Sequence, residues 1–271
     1  MSLIIQSIIL GIVEGITEFL PISSTGHLII VNRFINFQGE FAEMFDIVIQ
    51  LGAILSVIVY FWNRIYPLGK GSAEYKKEIW TMWGKTMVAV LPALVIGAAL
   101  EHKIKQYLFH PSVISAMLIV GGIFLIFIES RKRSSSITSI STLPCKTAFF
   151  IGLIQCLAMI PGTSRSAATI IGAMLLGTSR AIAVEFSFFL AIPTMIAASG
   201  YSILKHGAAL NGPEWIALAT GFVVSFFVAW GVVAFLMNFI RKHDFKVFGW
   251  YRIVLGCFII ALIAFHLFPS L

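Results

Sequence analysis

Charged side chains are scarce in this sequence. Of its 271 residues only 11% are Asp, Glu, Lys or Arg, whereas 59% are hydrophobic. A typical soluble domain carries about 25% charged residues. A soluble fold of this length could not hide so many apolar side chains, because its surface needs polar cover. The composition therefore excludes a soluble globular enzyme and a disordered chain, and it predicts an integral membrane protein.

Cysteine is also rare. Cys145, Cys156 and Cys257 show no metal-ligand spacing and form no even set, so we interpret them as ordinary small apolar residues. The net charge of +7 does not require a nucleic-acid partner, and we expect none. In a membrane protein the first use of Lys and Arg is to set orientation.

Long hydrophobic runs are abundant. A membrane-spanning helix needs about 20 mostly apolar residues. The second candidate run is short and is expected to extend back over Trp80 to Lys85. The pattern predicts an all-α membrane protein whose six transmembrane helices cover 43–62, 86–101, 111–129, 181–204, 214–240 and 249–269.

Two further apolar stretches are interrupted. Residues 3–31 contain the polar sequence 21–27, and residues 147–177 contain the polar sequence 161–166. Each interruption begins with a proline, which breaks a helix, and continues with turn-forming Gly and Ser. Each half is too short to cross a bilayer alone. We therefore predict two re-entrant helical hairpins that return to the side from which they entered.

The distribution of basic residues supports this topology. If both hairpins are re-entrant, thirteen of the 19 Lys and Arg residues lie on one side of the membrane. The positive-inside rule makes that side cytoplasmic and puts both termini outside. The thirteen residues are Arg64, Lys70, Lys76, Lys77, Lys85, Arg131, Lys132, Arg133, Lys146, Arg180, Arg241, Lys242 and Lys246.

The order of segments suggests an internal repeat within a single membrane domain, residues 1–271. Each half contains a hairpin and then three spans, so residues 147–271 would be inverted relative to residues 1–129, with 130–146 as a solvated cytoplasmic linker. An offset of 141 residues pairs Glu14 with Gln155 and Ser23 with Ser164. Inverted repeats of this kind place their site near the midplane, where broken helices meet.

Glu14 and Glu18 are acids inside an apolar stretch, where an ionised group is costly. Their spacing puts both carboxylates on one face of a helix. Such a pair repels unless one carboxyl is protonated or a cation lies between them. Magnesium and calcium prefer oxygen ligands, so we predict that Glu14 and Glu18 hold a divalent cation, Mg²⁺ or Ca²⁺.

The two polar interruptions carry groups suited to an anionic substrate. The guanidinium of Arg165 matches phosphate oxygens, and hydroxyls near helix starts bind anions. We expect substrate contacts from Gln50 and from both turns, with Glu185 also lining the site. The substrate-binding residues in the turns are Ser23, Thr25, Gly26, Ser164, Ser166 and Thr169.

This set suits phosphoryl transfer, with Glu18, Ser24, His27 and Arg165 as catalytic residues. Ser24 or a water attacks phosphorus, and His27 handles the proton. A structural alternative is that Arg165 pairs with Glu18 or Glu185 only to hold helices together. A functional alternative is a transporter or flippase of a lipid phosphate or small anion, since inverted repeats are common in transporters.

Residues 14–27 and 161–169 resemble the two signature motifs of the bacterial undecaprenyl-diphosphatases, the bacitracin-resistance phosphatases. One departure is Ala167, where many members have Gly. The resemblance implies an enzyme of the bacterial cytoplasmic membrane that hydrolyses undecaprenyl diphosphate to recycle the lipid carrier for peptidoglycan synthesis. It also implies a divalent cation, a site open to the outer face and bacitracin resistance. The partners that it implies are membrane lipid and a second protomer in a homodimer.

Overall fold

The computed structural model describes residues 1–69, 71–131, 135–207 and 210–266, excluding the side chains at 101, 102, 105 and 206. Within these ranges the chain is helical, apart from one isolated bridge between Ile137 and Thr178. A short 3₁₀ segment, Cys156–Met159, follows the helix Cys145–Gln155. The helices are α1 Leu3–Thr17, α2 Ser24–Phe34, α3 Glu40–Tyr60, α4 Trp62–Ile65, α5 Ala73–Leu108, α6 Pro111–Ser130, α7 Cys145–Gln155, α8 Arg165–Leu175, α9 Arg180–His206, α10 Gly212–Phe239 and α11 Lys246–Ala264.

Six of these helices, α3, α5, α6, α9, α10 and α11, are long and apolar enough to cross a membrane. The six predicted spans are therefore confirmed, and the chain is a multi-pass membrane protein. The second span, predicted over 86–101 with an extension back to Trp80, begins earlier still: α5 starts at Ala73 and runs to Leu108. Its first turns carry the charged residues that ended the apolar run. The last helix ends at Ala264, and residues 267–269 of the predicted span lie outside the described residues, as do Lys70, Lys132 and Arg133.

The two interrupted stretches each fold into a pair of short helices that contact each other, α1 with α2 and α7 with α8. The second helix of each pair begins after a serine with a left-handed backbone, Ser23 at φ 75° and Ser164 at φ 69°. Each serine side chain accepts a hydrogen bond from the amide three residues later, Gly26 or Ala167. Such N-caps satisfy a free amide at the helix start. The prolines and polar residues therefore mark the turns.

The two helix pairs are held by close packing against long helices. α1 packs on α10, α7 packs on α5, and α6 packs on α11. At Gly152 a Cβ atom would lie 1.9 Å from the Ala89 carbonyl oxygen, so α7 and α5 touch through backbone. Small residues at membrane helix interfaces permit this approach. The packing fixes where each turn lies.

The predicted solvated linker is partly packed instead. Ile137, Ile140 and Leu143 are buried, and the Lys85 ammonium donates hydrogen bonds to the carbonyls of Ile140 and Ser141. Apolar side chains within the Ser/Thr-rich run gave this segment a buried face. The described part of the linker is therefore attached to α5 rather than free in solvent.

Candidate functional site

The turns of the two hairpins meet inside the protein. The Ser166 hydroxyl, at the start of α8, donates a 2.9 Å hydrogen bond to the carbonyl of Leu20 in the first turn. Ser166 is fully buried, and so is Phe19 beside Leu20. Residues 146 positions apart in the chain thus share one polar interior. The structure brings together the two motifs that the sequence predicted to converge.

Ser24, Glu18 and Arg165 form a chain of contacts at this meeting point. The Ser24 hydroxyl donates to Glu18 Oε2 at 2.6 Å, and Arg165 Nη2 lies 3.2 Å from Glu18 Oε1. All three side chains are largely buried. A hydroxyl bonded to a carboxylate is the pairing of a nucleophile with a general base. A guanidinium beside them supplies positive charge for a phosphate.

The arginine is positioned by its own helix and by α9. Its Nη1 donates to the carbonyl of Ser187 at 2.9 Å. The hydroxyls of Thr169 and Ser187 lie 2.5 Å apart, and Ser164 Oγ lies 3.0 Å from Ser166 Oγ. Arg165 Nε has no hydrogen-bond partner among the described residues. The arginine therefore keeps a donor free beside a cluster of hydroxyls.

His27 lies one turn beyond Ser24 on α2, and its ring is fixed at both nitrogens. Nδ1 lies 2.7 Å from the carbonyl of Ser23, and Nε2 lies 2.7 Å from the hydroxyl of Tyr251 on α11. The carbonyl accepts only, so Nδ1 carries a proton. The Ser24 hydroxyl is therefore bonded to the Glu18 carboxylate and not to His27, whose ring contacts Ser23 and Tyr251. Thr25 and Gly26 lie between them on the first turn of α2.

The predicted metal ligands fit a divalent cation in part. Both Glu14 carboxylate oxygens are buried and receive no N–H or O–H donor among the described residues, and the Glu18 carboxyl lies beside them. Two adjacent carboxyls are compatible with a shared proton or with a cation between them. Glu18 already accepts bonds from Ser24 and Arg165. Within the described residues no group of three or more His, Cys, Asp or Glu could form a full cage. Magnesium is commonly held by one or two carboxylates completed by substrate phosphates, which suits this donor set.

Of the two other residues expected to line the site, one is paired elsewhere. Glu185 is paired with Arg64 through Oε1 at 2.7 Å, not with Arg165, and faces a cavity bordered by Ser139 and Ser141. Gln50 is partly buried on α3 and forms no side-chain hydrogen bond with the described site residues. Glu185 lies two positions before Ser187 on α9, and such residues are about 200° apart around a helix axis, so their side chains point in different directions.

Sequence reasoning assigned no role to Arg252, yet in the structure its side chain contacts both hairpin turns. Its side chain is fully buried on α11 and donates to carbonyls of Pro21, Gly162 and Thr163. Tyr251, the partner of His27, precedes it. The available signal was an arginine within an apolar span, where a charge is costly.

Comparisons with known proteins identify the family of this chain. The family described as bacitracin resistance protein BacA matches residues 7–258. Proteins named undecaprenyl-diphosphatase are similar along almost the whole chain. The relative from Enterococcus faecalis is 48% identical, covering 96% of this chain and 97% of its own length. The relative from Lactiplantibacillus plantarum is 49% identical, covering 95% and 96%. Undecaprenyl-diphosphatase 1 of Clostridioides difficile is 50% identical, covering 95% of each chain. The chain therefore belongs to the BacA family of bacitracin resistance proteins.

Proposed function

We propose that this protein hydrolyses undecaprenyl diphosphate to undecaprenyl phosphate and inorganic phosphate. Relatives that are about half identical over nearly their full length carry the name undecaprenyl-diphosphatase. The observation that carries the proposal in this chain is the buried contact chain from Ser24 through Glu18 to Arg165. Those groups are a nucleophile, a base and a phosphate-binding cation, the parts that phosphoryl transfer requires.

In the proposed reaction Ser24 Oγ attacks the terminal phosphorus. Its proton passes to Glu18, 2.6 Å away. A bond forms between Ser24 Oγ and phosphorus, the bond from phosphorus to the bridging oxygen breaks, and undecaprenyl phosphate leaves. Water then attacks the phosphorus of the phosphoserine, the bond from phosphorus to Ser24 Oγ breaks, Glu18 returns its proton to Oγ, and inorganic phosphate is released. Arg165, with the hydroxyls of Ser164 and Ser166, holds the terminal phosphate. His27 accepts the proton that the attacking water loses.

A divalent cation, Mg²⁺ or Ca²⁺, is part of the proposal, with Glu14 and Glu18 as its protein ligands. The buried Glu14 oxygens, which receive no N–H or O–H donor among the described residues, support this assignment. When bound, the cation would neutralise charge on the diphosphate. Substrate oxygens would complete its coordination.

We also propose that the helix pairs α1–α2 and α7–α8 are re-entrant and belong to inverted repeats. The packing pattern supports this, because exchanging the halves preserves the main contacts: α1 on α10 corresponds to α7 on α5, α3 on α10 corresponds to α9 on α5, and α6 packs on α11. In this arrangement both termini face outward and the site opens to the outer leaflet of the cytoplasmic membrane. A homodimer stays a prediction of the family resemblance.

Phosphate release tests the activity. Purified protein in detergent should liberate inorganic phosphate from undecaprenyl diphosphate, and a chelator should abolish release until Mg²⁺ or Ca²⁺ is restored. Absence of release from folded protein supplied with both cations would overturn the proposal. The transporter alternative predicts movement of a lipid phosphate or anion without hydrolysis, and the names of the relatives do not favour it.

A further inference from the structure

We propose that Arg252 is a positioning residue that fixes the two hairpin turns in the relative placement that catalysis needs. This inference rests on the proposed function for its kinetic consequence. Its structural basis is one guanidinium that contacts both turns and α6 at once. The nearest substrate-facing residues follow these turns in the chain: Ser23 and Ser24 after the first, Ser164 and Arg165 after the second.

The contacts of Arg252 are all with backbone carbonyl oxygens. Nη1 donates to Pro21 at 3.2 Å in the first turn. Nη2 lies 3.0 Å from the carbonyl oxygens of both Gly162 and Thr163 in the second turn. Turn carbonyls lack helical partners and need donors when buried. Arg252 supplies those donors to both turns from a single rigid group.

Its remaining contacts attach the turns to the long helices. Nη2 also lies 3.0 Å from the Met117 carbonyl oxygen, and Nε lies 3.4 Å from that of Leu118, both on α6. At Gly121 a Cβ atom would lie 2.3 Å from Nη2, so glycine leaves the space that the guanidinium fills. The hairpin turns, α6 and α11 are thus joined at one point.

The cost of this arrangement argues for a specific role. Arg252 has no exposed surface, and among the described residues no carboxylate pairs with it. Burying a charge without a counterion is expensive, and an apolar residue would pack there more cheaply. Lysine offers donors at a single point, whereas the guanidinium spreads five donors over a plane. The planar fork matches carbonyls that come from three separate segments.

The kinetic test compares Arg252→Met and Arg252→Lys with Arg180→Lys as a matched control. Arg180 pairs with Glu129 and contacts neither turn. A misplacement of about 1 Å can cost about 100-fold in rate, so kcat of Arg252→Met should fall about 100-fold while KM changes little. Arg252→Lys should recover part of that loss, and Arg180→Lys should keep the unsubstituted kcat.

Expressing kcat per folded molecule distinguishes a positioning role of Arg252 from a role in stability alone. If Arg252→Met lowers the thermal midpoint but keeps kcat per folded molecule, the inference is wrong. Should Arg252→Met fail to fold, Gly121→Ala and Arg252→Lys take its place. Gly121→Ala keeps the arginine but displaces its guanidinium, and unchanged kcat in both variants would overturn the inference.

A second readout does not depend on activity. Cysteines at Leu20 and Ser166, where the Ser166 hydroxyl donates to the Leu20 carbonyl, should be joined by oxidation or by a short bifunctional thiol reagent. Disulfides need closely defined geometry, so adding Arg252→Met should slow their formation about tenfold. An unchanged rate contradicts the positioning role. If the protein releases no phosphate yet this rate falls, the proposed function fails and the positioning role stands.

Discussion

Ser24 Oγ lies 2.6 Å from Glu18 Oε2, and both residues are buried within the first hairpin. This is the distance of a charge-assisted hydrogen bond between a hydroxyl and a carboxylate. The same carboxylate contacts Arg165 from the second hairpin at 3.2 Å. Glu18 therefore joins the proposed nucleophile of one motif to the phosphate-binding group of the other.

Removing either member of this hydrogen bond should nearly abolish hydrolysis. Ser24→Ala loses the attacking oxygen, and Glu18→Gln loses the base, which is worth about 10²–10⁴-fold. Phosphate release from undecaprenyl diphosphate by folded protein measures the loss. Ser225→Ala is the matched control, since Ser225 is buried on α10 with no hydrogen-bond partner among the described residues.

The same variants separate Ser24 attack from water attack. With substrate labelled at the terminal phosphate, rapid acid quenching should trap label on the protein and not on Ser24→Ala. An active Ser24→Ala enzyme contradicts attack by Ser24 and assigns the nucleophile to water.

Arg165→Lys should lose about 100-fold in kcat/KM. Lysine keeps the charge but cannot contact Glu18, the Ser187 carbonyl and a phosphate with one planar group. Arg180→Lys is the control, because it makes the same chemical change in an ion pair with Glu129. Equal activity of the two variants would mean that Arg165 only holds helices together.

Glu14→Gln should raise the concentration of divalent cation needed for half-maximal activity. The substitution keeps the shape of the side chain but removes one of the charges proposed to bind the cation. Activity measured across a Mg²⁺ series shows the shift, and saturating Mg²⁺ should restore part of the rate. Glu40→Gln, an exposed change at the start of α3, should leave the series unchanged. An unchanged series in Glu14→Gln removes this residue from the cation site.

The proposed orientation puts Cys145 at the cytoplasmic face and residue 2 outside. Cys145 is exposed at the start of α7, so it can report on sidedness once Cys156 and Cys257 are replaced by Ala. A membrane-impermeant thiol reagent should label Cys145 only after cells are opened. In the variant Ser2→Cys with Cys145 also replaced, labelling should occur in intact cells. The reverse pattern contradicts the topology.

The six spans and both chain breaks could be predicted from the sequence because each follows from local composition. Apolar runs of sufficient length mark spans, and Pro21 and Pro161 precede the turns. The start of α5 could not be found this way. Its first turns contain Lys76 and Lys77, which break the apolar signal although the helix continues through them.

The residue types of the site were predictable, but some of their partners were not. Glu14, Glu18 and Arg165 stand out because charges are costly in apolar segments. The partners of Arg252 are backbone carbonyls. Every residue has one, so no sequence pattern predicts which of them Arg252 contacts. Glu185 on α9 binds Arg64 on α4, 121 positions away in the chain, and that pairing depends on tertiary packing.

The central claim is that the two hairpins build one site, and a disulfide between Leu20→Cys and Ser166→Cys tests it most directly. The Ser166 hydroxyl lies 2.9 Å from the Leu20 carbonyl oxygen. The matched control is Ile47→Cys with Ser199→Cys, where a serine makes the same 2.9 Å contact between α3 and α9. In membranes of protein lacking its native cysteines, mild oxidation should link both pairs within single chains. Linkage of the control pair alone, with neither oxidation nor a short bifunctional thiol reagent joining positions 20 and 166, would contradict a shared site.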